Sequence, residues 1–240
     1  EHFVFYEYPA GGVGAFEGHD GNNSVRSYFE SDITPLQPIE AVEQKYPMLV
    51  EHFGLREDSG GDGKWRGGIG VRRAVRLFSD DAQYSVVSDH NIIPPYGVCG
   101  GDPGSPNRFT VIRDGVEVVP PSLPGKISGY MLKYNDIILM QSSGGGGFGE
   151  QLDRDPIAVM DDVSEGYISS HKAESVYGVV IHEGLFQPDR TNRLRQLMRS
   201  KRAMVAINSW QDEEYYGGGR ICYLNSSAMT LLELQEGDMV

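Results

Sequence analysis

Cysteine is nearly absent from this 240-residue sequence: only Cys99 and Cys222 occur, far apart and in unlike surroundings. That excludes a disulfide framework and a cysteine-built zinc site, both of which need closely spaced thiols. Long apolar runs are missing too, and nothing approaches the roughly 18 residues that a bilayer-crossing helix requires. The opening residues, Glu1-His2-Phe3-Val4-Phe5-Tyr6-Glu7, carry neither a basic segment nor a cleavage site, so no secretory leader is read there. Together these absences make the cytoplasm the expected compartment. Basic charge is also scarce: 21 Lys and Arg stand against 34 Asp and Glu, a formal net charge of −13. A nucleic-acid partner needs clustered cations to neutralise phosphates. The densest basic runs, Arg72-Arg73-Ala74-Val75-Arg76 and Arg193 to Arg202, are short and read as solvated or interface faces.

Familiar catalytic signatures are missing as well. No His-Glu-x-x-His pair occurs, and His19-Asp20, His52 near Glu51 and Asp89-His90 read as surface or turn pairs, so no metal ligand is assigned. There is no Gly-x-Ser-x-Gly elbow, and Ser59 has no assignable histidine partner.

Glycine, by contrast, is abundant at 31 residues, and it is clustered. The clusters are Gly11-Gly12-Val13-Gly14, Ser59-Gly60-Gly61-Asp62-Gly63, Gly67-Gly68-Ile69-Gly70, Gly100-Gly101, Gly144 to Gly147 and Gly217 to Gly219. Runs rich in β-branched and aromatic residues lie between them and predict strands at Phe3–Tyr8, Leu49–Leu55, Val71–Phe78, Tyr84–Ser88, Phe109–Ile112, Val116–Val119 and Ile137–Gln141. Asp114-Gly115 supplies the positive φ of a tight hairpin turn. One short helix is expected at Ile39–Lys45. Beyond Gly149 the pattern turns helical. Asp155-Pro156 opens a helix through Val163, Ser169 or Ser170 caps a second to Ser175, Tyr177–Ile181 reads as a strand, and Asp189 caps a helix to about Ala206. Arg220–Val240 reads as strand, helix, strand. The expected class is α+β: a Gly-rich, mainly β region over residues 1–150, a helical part of the same domain over 151–206, and an appended extension over 207–240.

Two segments stand out chemically. Gly144, Gly145, Gly146 and Gly147 could form a backbone cradle for an anion such as phosphate or carboxylate. They could equally mark a place where another segment passes too closely for any Cβ. The run lacks the Lys-Ser/Thr ending of a P-loop, which excludes that mode of nucleotide binding. In Asp58-Ser59-Gly60-Gly61-Asp62-Gly63-Lys64-Trp65-Arg66-Gly67-Gly68, Asp58 and Arg66 could orient a substrate carbonyl or carboxylate, beside Ser59, Gly60 and Gly61. The other reading is an Asx-type turn at Asp58-Ser59 and a local ion pair for Arg66.

Taken in order, these motifs resemble the hydantoinase B family, which includes the corresponding parts of oxoprolinases and of acetone- or acetophenone-type carboxylases. The resemblance runs through Gly11 to Ala15, Pro38-Ile39-Glu40-Ala41-Val42-Glu43 with Pro47, Asp58 to Gly61 and Lys64 to Gly70. It continues through Pro94-Pro95-Tyr96-Gly97, Gly100-Gly101, Lys126, Ser143 to Gly149, Arg154-Asp155-Pro156, Asp161-Asp162-Val163 and Tyr177 to Val180. It implies a subunit of an ATP-dependent multisubunit enzyme acting on a small carbonyl substrate. A hydantoinase A-like ATP-binding partner would phosphorylate the substrate oxygen, and a divalent metal (Mg, Mn or Zn) would take part. Both ATP and metal are expected outside this segment, the metal in an N-terminal part of the same subunit, of which this chain would be the C-terminal part. Residues Glu17–Thr34 depart from the family's route. The continuation past Arg202, through Tyr215-Tyr216-Gly217-Gly218-Gly219-Arg220, suits docking of a small extra subunit and tips the reading toward carboxylation of a small ketone. Hydrolysis of a cyclic amide (hydantoin, lactam or oxoproline) and a purely structural, assembly role are the alternatives.

Overall fold

A computed structural model describes residues 3–26 and 37–201, together with Thr230. The extension expected at 207–240, and the end of the last helix beyond Lys201, lie outside the described residues.

Helix α1 (Ile39–Lys45) leads into β1 (Met48–Leu55), followed by β2 (Val71–Leu77), β3 (Gln83–Val87), β4 (Arg108–Arg113), β5 (Val116–Val118), β6 (Lys126–Met131) and β7 (Ile137–Gln141). The main sheet is antiparallel in the order β1-β2-β7-β4-β5, while β3 and β6 pair separately. The β4–β5 turn is the expected Asp114-Gly115, both with positive φ, at 52° and 77°. One face of the large sheet packs under the small one, where Val75, Leu77, Val111, Ile138 and Met140 meet Tyr84, Ile127 and Leu132 in a core. Helices α2 (Pro156–Ser164) and α3 (Ser170–Ser175) close a second core around Val159, Ile168, Ala173, Tyr177 and Val179. After the short pair β8 (Ile181–His182) and β9 (Leu185–Phe186) comes α4 (Pro188–Ser200).

The structure departs from expectation in several places. Phe3–Tyr8 lies extended with Phe5 and Glu7 turned inward, but it joins no ladder among the described residues. Tyr177–Val180 is buried chain without strand pairing, and only Ile181–His182 forms a strand. Helix α4 is capped at Gln187, with Asp189 in its first turn. Arg73, expected on a solvated or interface face, is 1% exposed: it pairs with Glu7 at 2.9 Å and its guanidinium lies over the Phe53 ring.

At one end of the large sheet, four strands run on into glycine. β1 continues into 56–63, β2 is entered from 65–70, β4 from 101–107, and β7 leaves through 142–149. These segments, with 11–15 and 21–24, lie side by side and bond through their backbones. Gly12 N–H donates to Ser143 O, Gly61 N–H to Gly145 O, Gly68 N–H to Val13 O, Gly145 N–H to Gly68 O and Gly147 N–H to Asp102 O, at 2.8–2.9 Å. The central strand of this weave turns by threes. A Cβ at Gly144 would strike Ser59 O, at Gly145 Val13 O, at Gly146 Tyr96 O, and at Gly147 Asp62 O, back on the segment that Gly144 faces. Three residues per turn with no bonds inside the segment is the geometry of a polyproline II-type helix. Every side of it is covered by another backbone, so only glycine fits there.

Candidate functional site

Four side chains tie the weave to the helical part. Arg154, at the entry to α2, reaches back to Asp20 with two parallel bonds, Nη1 to Oδ1 and Nη2 to Oδ2, each 2.7 Å. Its Nε and Nη2 also donate to Asp162 Oδ2 at 3.1 and 2.7 Å. Arg66 donates from Nε to Asp162 Oδ1 at 3.1 Å, and from Nη1 to Gly67 O and Asn23 Oδ1, while lying over the Tyr167 ring. Its backbone N–H donates to Asp20 Oδ1 at 2.7 Å. Two arginines and two aspartates make the cluster neutral, which is how charge survives burial. Burial pulls the Arg154 guanidinium down, but the bonds to Asp20 and the charge of Asp162 outweigh it and hold it above its ordinary value. Burial pushes the Asp20 carboxyl up, and the bonds from Arg154 overcome this and leave it lowered. Asp162 stays raised, because burial prevails over its two arginines.

A second tie lies beside it. Lys172 on α3 pairs with Asp62 at 2.9 Å and donates to Asp58 O and Gly60 O. The fully buried Tyr177 hydroxyl donates to Asp62 Oδ1 at 2.8 Å. Burial and the neighbouring Asp62 carboxylate push that phenol far above its usual range.

The residues singled out in the sequence come together in this region, each already engaged. Arg66 is 3% exposed, with its head group spent on Asp162, Asn23 and Gly67. Asp58 sits at φ +61°, half-buried, and its Oδ1 accepts the Ser169 N–H at the start of α3. Ser59 is fully buried and its hydroxyl accepts the Gly70 N–H. Gly60 and Gly61 face Gly67 and Asp102 across the weave. Of the four central glycines, Gly144, Gly145 and Gly147 donate to Ser105, Gly68 and Asp102 carbonyls, which is the close-approach arrangement. Nothing in the sequence assigns Asp20, Asp162, Lys172 and Tyr177 their roles in these ties, because the contacts that cross the fold, such as Arg66 to Asp162, Tyr177 to Asp62 and Arg154 to Asp20, join residues 96, 115 and 134 positions apart. Spacing says nothing over such distances. Among the described residues, no group of three His, Cys, Asp or Glu side chains converges as metal ligands would, so these residues do not fit a divalent metal.

An antiparallel sheet extended by a woven glycine bundle, and clasped there through Arg154, Asp162 of α2 and Lys172 of α3, defines a glycine-woven α+β protein. The chain belongs to the hydantoinase B/oxoprolinase family, whose model matches residues 1–151. It is 32% identical over 197 residues to a protein of Pseudomonas sp. strain NS671 named as the B-type component of a D-/L-hydantoinase, covering 82% of this chain and 33% of that one. It is 31% identical over 147 residues to the 5-oxoprolinase of Dictyostelium discoideum, covering 61% of this chain and 11% of the relative. Among solved structures it is similar to a nucleotide-free acetone carboxylase, with 26% identity, a TM-score of 0.68, and coverage of 80% of this chain and 30% of that one. The chain therefore spans a third or less of the length of these relatives. No helix among the described residues is long and apolar enough to cross a membrane.

Proposed function

We propose that this chain is the glycine-woven part of a hydantoinase B-type subunit, in an ATP-dependent multisubunit enzyme that transforms a small carbonyl compound. The observation that carries this reading is the family match across the weave and its sheet. In the proposed enzyme a hydantoinase A-like partner phosphorylates the substrate oxygen, turning a poor leaving group into a good one. ATP and the divalent metal are held outside the described residues. What this chain supplies is a rigid wall: backbones packed without side chains and pinned by Arg154, Asp162, Arg66 and Asp20.

Within that wall Asp58 keeps the substrate-orienting role read from the sequence, whereas Arg66, buried with its head group engaged, takes a different one. Asp58 has one carboxylate oxygen fixed on Ser169 and remains half-exposed, so it can orient an activated substrate. Arg66 acts through Asp162 and Asn23, as a positioning group. In the assembled enzyme, Asp58→Asn is expected to lower turnover with assembly intact, whereas Arg66→Ala disrupts folding of the wall. Variants that assemble and keep full turnover would sink the site assignment.

Carboxylation of a small ketone is supported by the likeness to acetone carboxylase over 80% of the chain. Hydrolysis of a cyclic amide is the second reading, favoured by the higher identity to the D-/L-hydantoinase component and the 5-oxoprolinase. Labelled bicarbonate supplied with ketone and ATP separates them. Incorporation of label supports the carboxylase, and ATP-dependent ring opening without bicarbonate rejects it.

A further inference from the structure

The junction between sheet and weave gathers arginines from three separate segments. Arg72 on β2 and Arg108 on β4 both sit opposite Gln141 on β7, so the three form one row across adjacent strands. Cross-strand partners project on the same face, here the one opposite Val75, Val111 and Met140, with the two arginines about 10 Å apart along the row. Arg56, one residue past β1, is held at the same joint by bonds from Nη1 to Pro106 O at 2.7 Å and Ser142 O at 3.0 Å. Pro106 lies two residues before Arg108, and Ser142 directly follows Gln141.

What sets these groups apart is how little negative charge they have in a chain of net charge −13. Among the described residues Arg72 is exposed and makes no hydrogen bond or ion pair, and Arg56 bonds only to carbonyl oxygens. Arg108 alone has an acid, Glu117, at 3.0 Å, and that carboxylate is itself tethered to the Thr110 hydroxyl. Burial, with the Arg108 charge adding to it, lowers the Arg56 guanidinium below its ordinary value. Three guanidiniums less one carboxylate leave an excess of two positive charges at this joint.

We propose that Arg56, Arg72 and Arg108 form a binding site for a phosphoryl dianion, either free phosphate or a phosphate carried on a small molecule. A phosphate at neutral pH carries close to two negative charges and oxygens suited to forked guanidinium donors, which match the excess charge and chemistry here. This goes beyond the enzyme reading above. Its test reads binding and not turnover, so failure would leave that reading standing.

The experiment titrates the 240-residue chain with inorganic phosphate, phosphoenolpyruvate and ADP by calorimetry at fixed ionic strength, while following the arginine Nε resonances. Saturable binding is expected at about 1 mM or tighter, with shifts at the three arginines. Arg72→Gln removes an unpartnered, exposed head group, so it should leave the fold intact by circular dichroism. It should weaken binding about tenfold or more, as loss of a charge-assisted bond does, and Arg72→Lys should recover part of the loss. The tightest of the three ligands identifies whether the phosphoryl group arrives free, on an enol or on a nucleotide. Absence of saturable binding for all three, equal affinity in Arg72→Gln and Arg108→Gln, or displacement by chloride at matched ionic strength would overturn the site.

Discussion

Gly145 and Gly14 lie within the same weave and differ in what a methyl group would meet. At Gly145 an added Cβ collides with the Val13 carbonyl, whereas at Gly14 the nearest atom is Gly146 O at 3.9 Å. Gly145→Ala is therefore expected to cost about 3 kcal/mol or prevent folding, since rigid backbone cannot move aside as a side chain can. Gly14→Ala should stay within about 0.5 kcal/mol. Urea unfolding of the two variants checks this, and equal costs would show the packing argument to be wrong. Asp136 supplies a second residue-level case. Burial pushes its carboxyl up, but bonds from Arg113 at 2.6 and 3.0 Å and from the Lys133 N–H outweigh this and hold it below its ordinary 3.8. A depressed carboxylate adds stability that is fully present above its unfolded-state value and is lost as pH falls through the lower folded one. Asp136→Asn should thus cost about 1–3 kcal/mol at neutral pH. The gap to the parent should close as pH falls below 3.8, the unshifted value. A gap that stays constant into the acid range would rule out the linkage.

Elements whose signal is local were readable from the sequence. Helix α1 and strands β1, β2, β4, β5 and β7 fall where β-branched runs and turn residues place them, and α2 begins at its expected Asp155-Pro156. Strand β6 was not foreseen because Ser128-Gly129 breaks its apolar pattern, with Gly129 at φ +61°. Phe3–Tyr8 has the alternation of a strand without a ladder, since pairing depends on a neighbouring edge and not on the segment itself. The weave was legible as glycine clusters, yet their three-residue register needs six segments to be placed at once. Its clasp of Arg66, Arg154, Asp20 and Asp162 was invisible for the same reason. Among helices, α2 gives the cleanest test. Its Asp155 side chain accepts the Ile157 N–H at 2.9 Å, and Asp155→Ala should cost about 1 kcal/mol in the stability of that helix. Amide hydrogen exchange over 156–164 measures it, and unchanged protection there would show that the cap is idle.

On the scale of the whole molecule, the proposed division into residues 1–150 and 151–206 is one of sequence character and not of energetics. The helical part reaches into the weave through Arg154 to Asp20, Asp162 to Arg66, and Lys172 to Asp62. Each bond leaves a buried charge exposed or unpaired if only one side unfolds, and losing one partner of such a pair costs about 3–5 kcal/mol. Losing three such pairs is comparable with the about 5–15 kcal/mol by which whole domains are stable, so partial unfolding is disfavoured. The two parts should melt as one cooperative unit. Trp65 lies in the weave and Trp210 beyond Lys201, so in a Trp210→Phe variant indole fluorescence reports the weave while far-ultraviolet circular dichroism weights the helices. The two signals should trace a single, coincident transition in urea, and a chain cut after residue 150 should fail to fold. Separate midpoints would show that the clasp couples the halves weakly, and that the weave holds itself together by backbone packing alone.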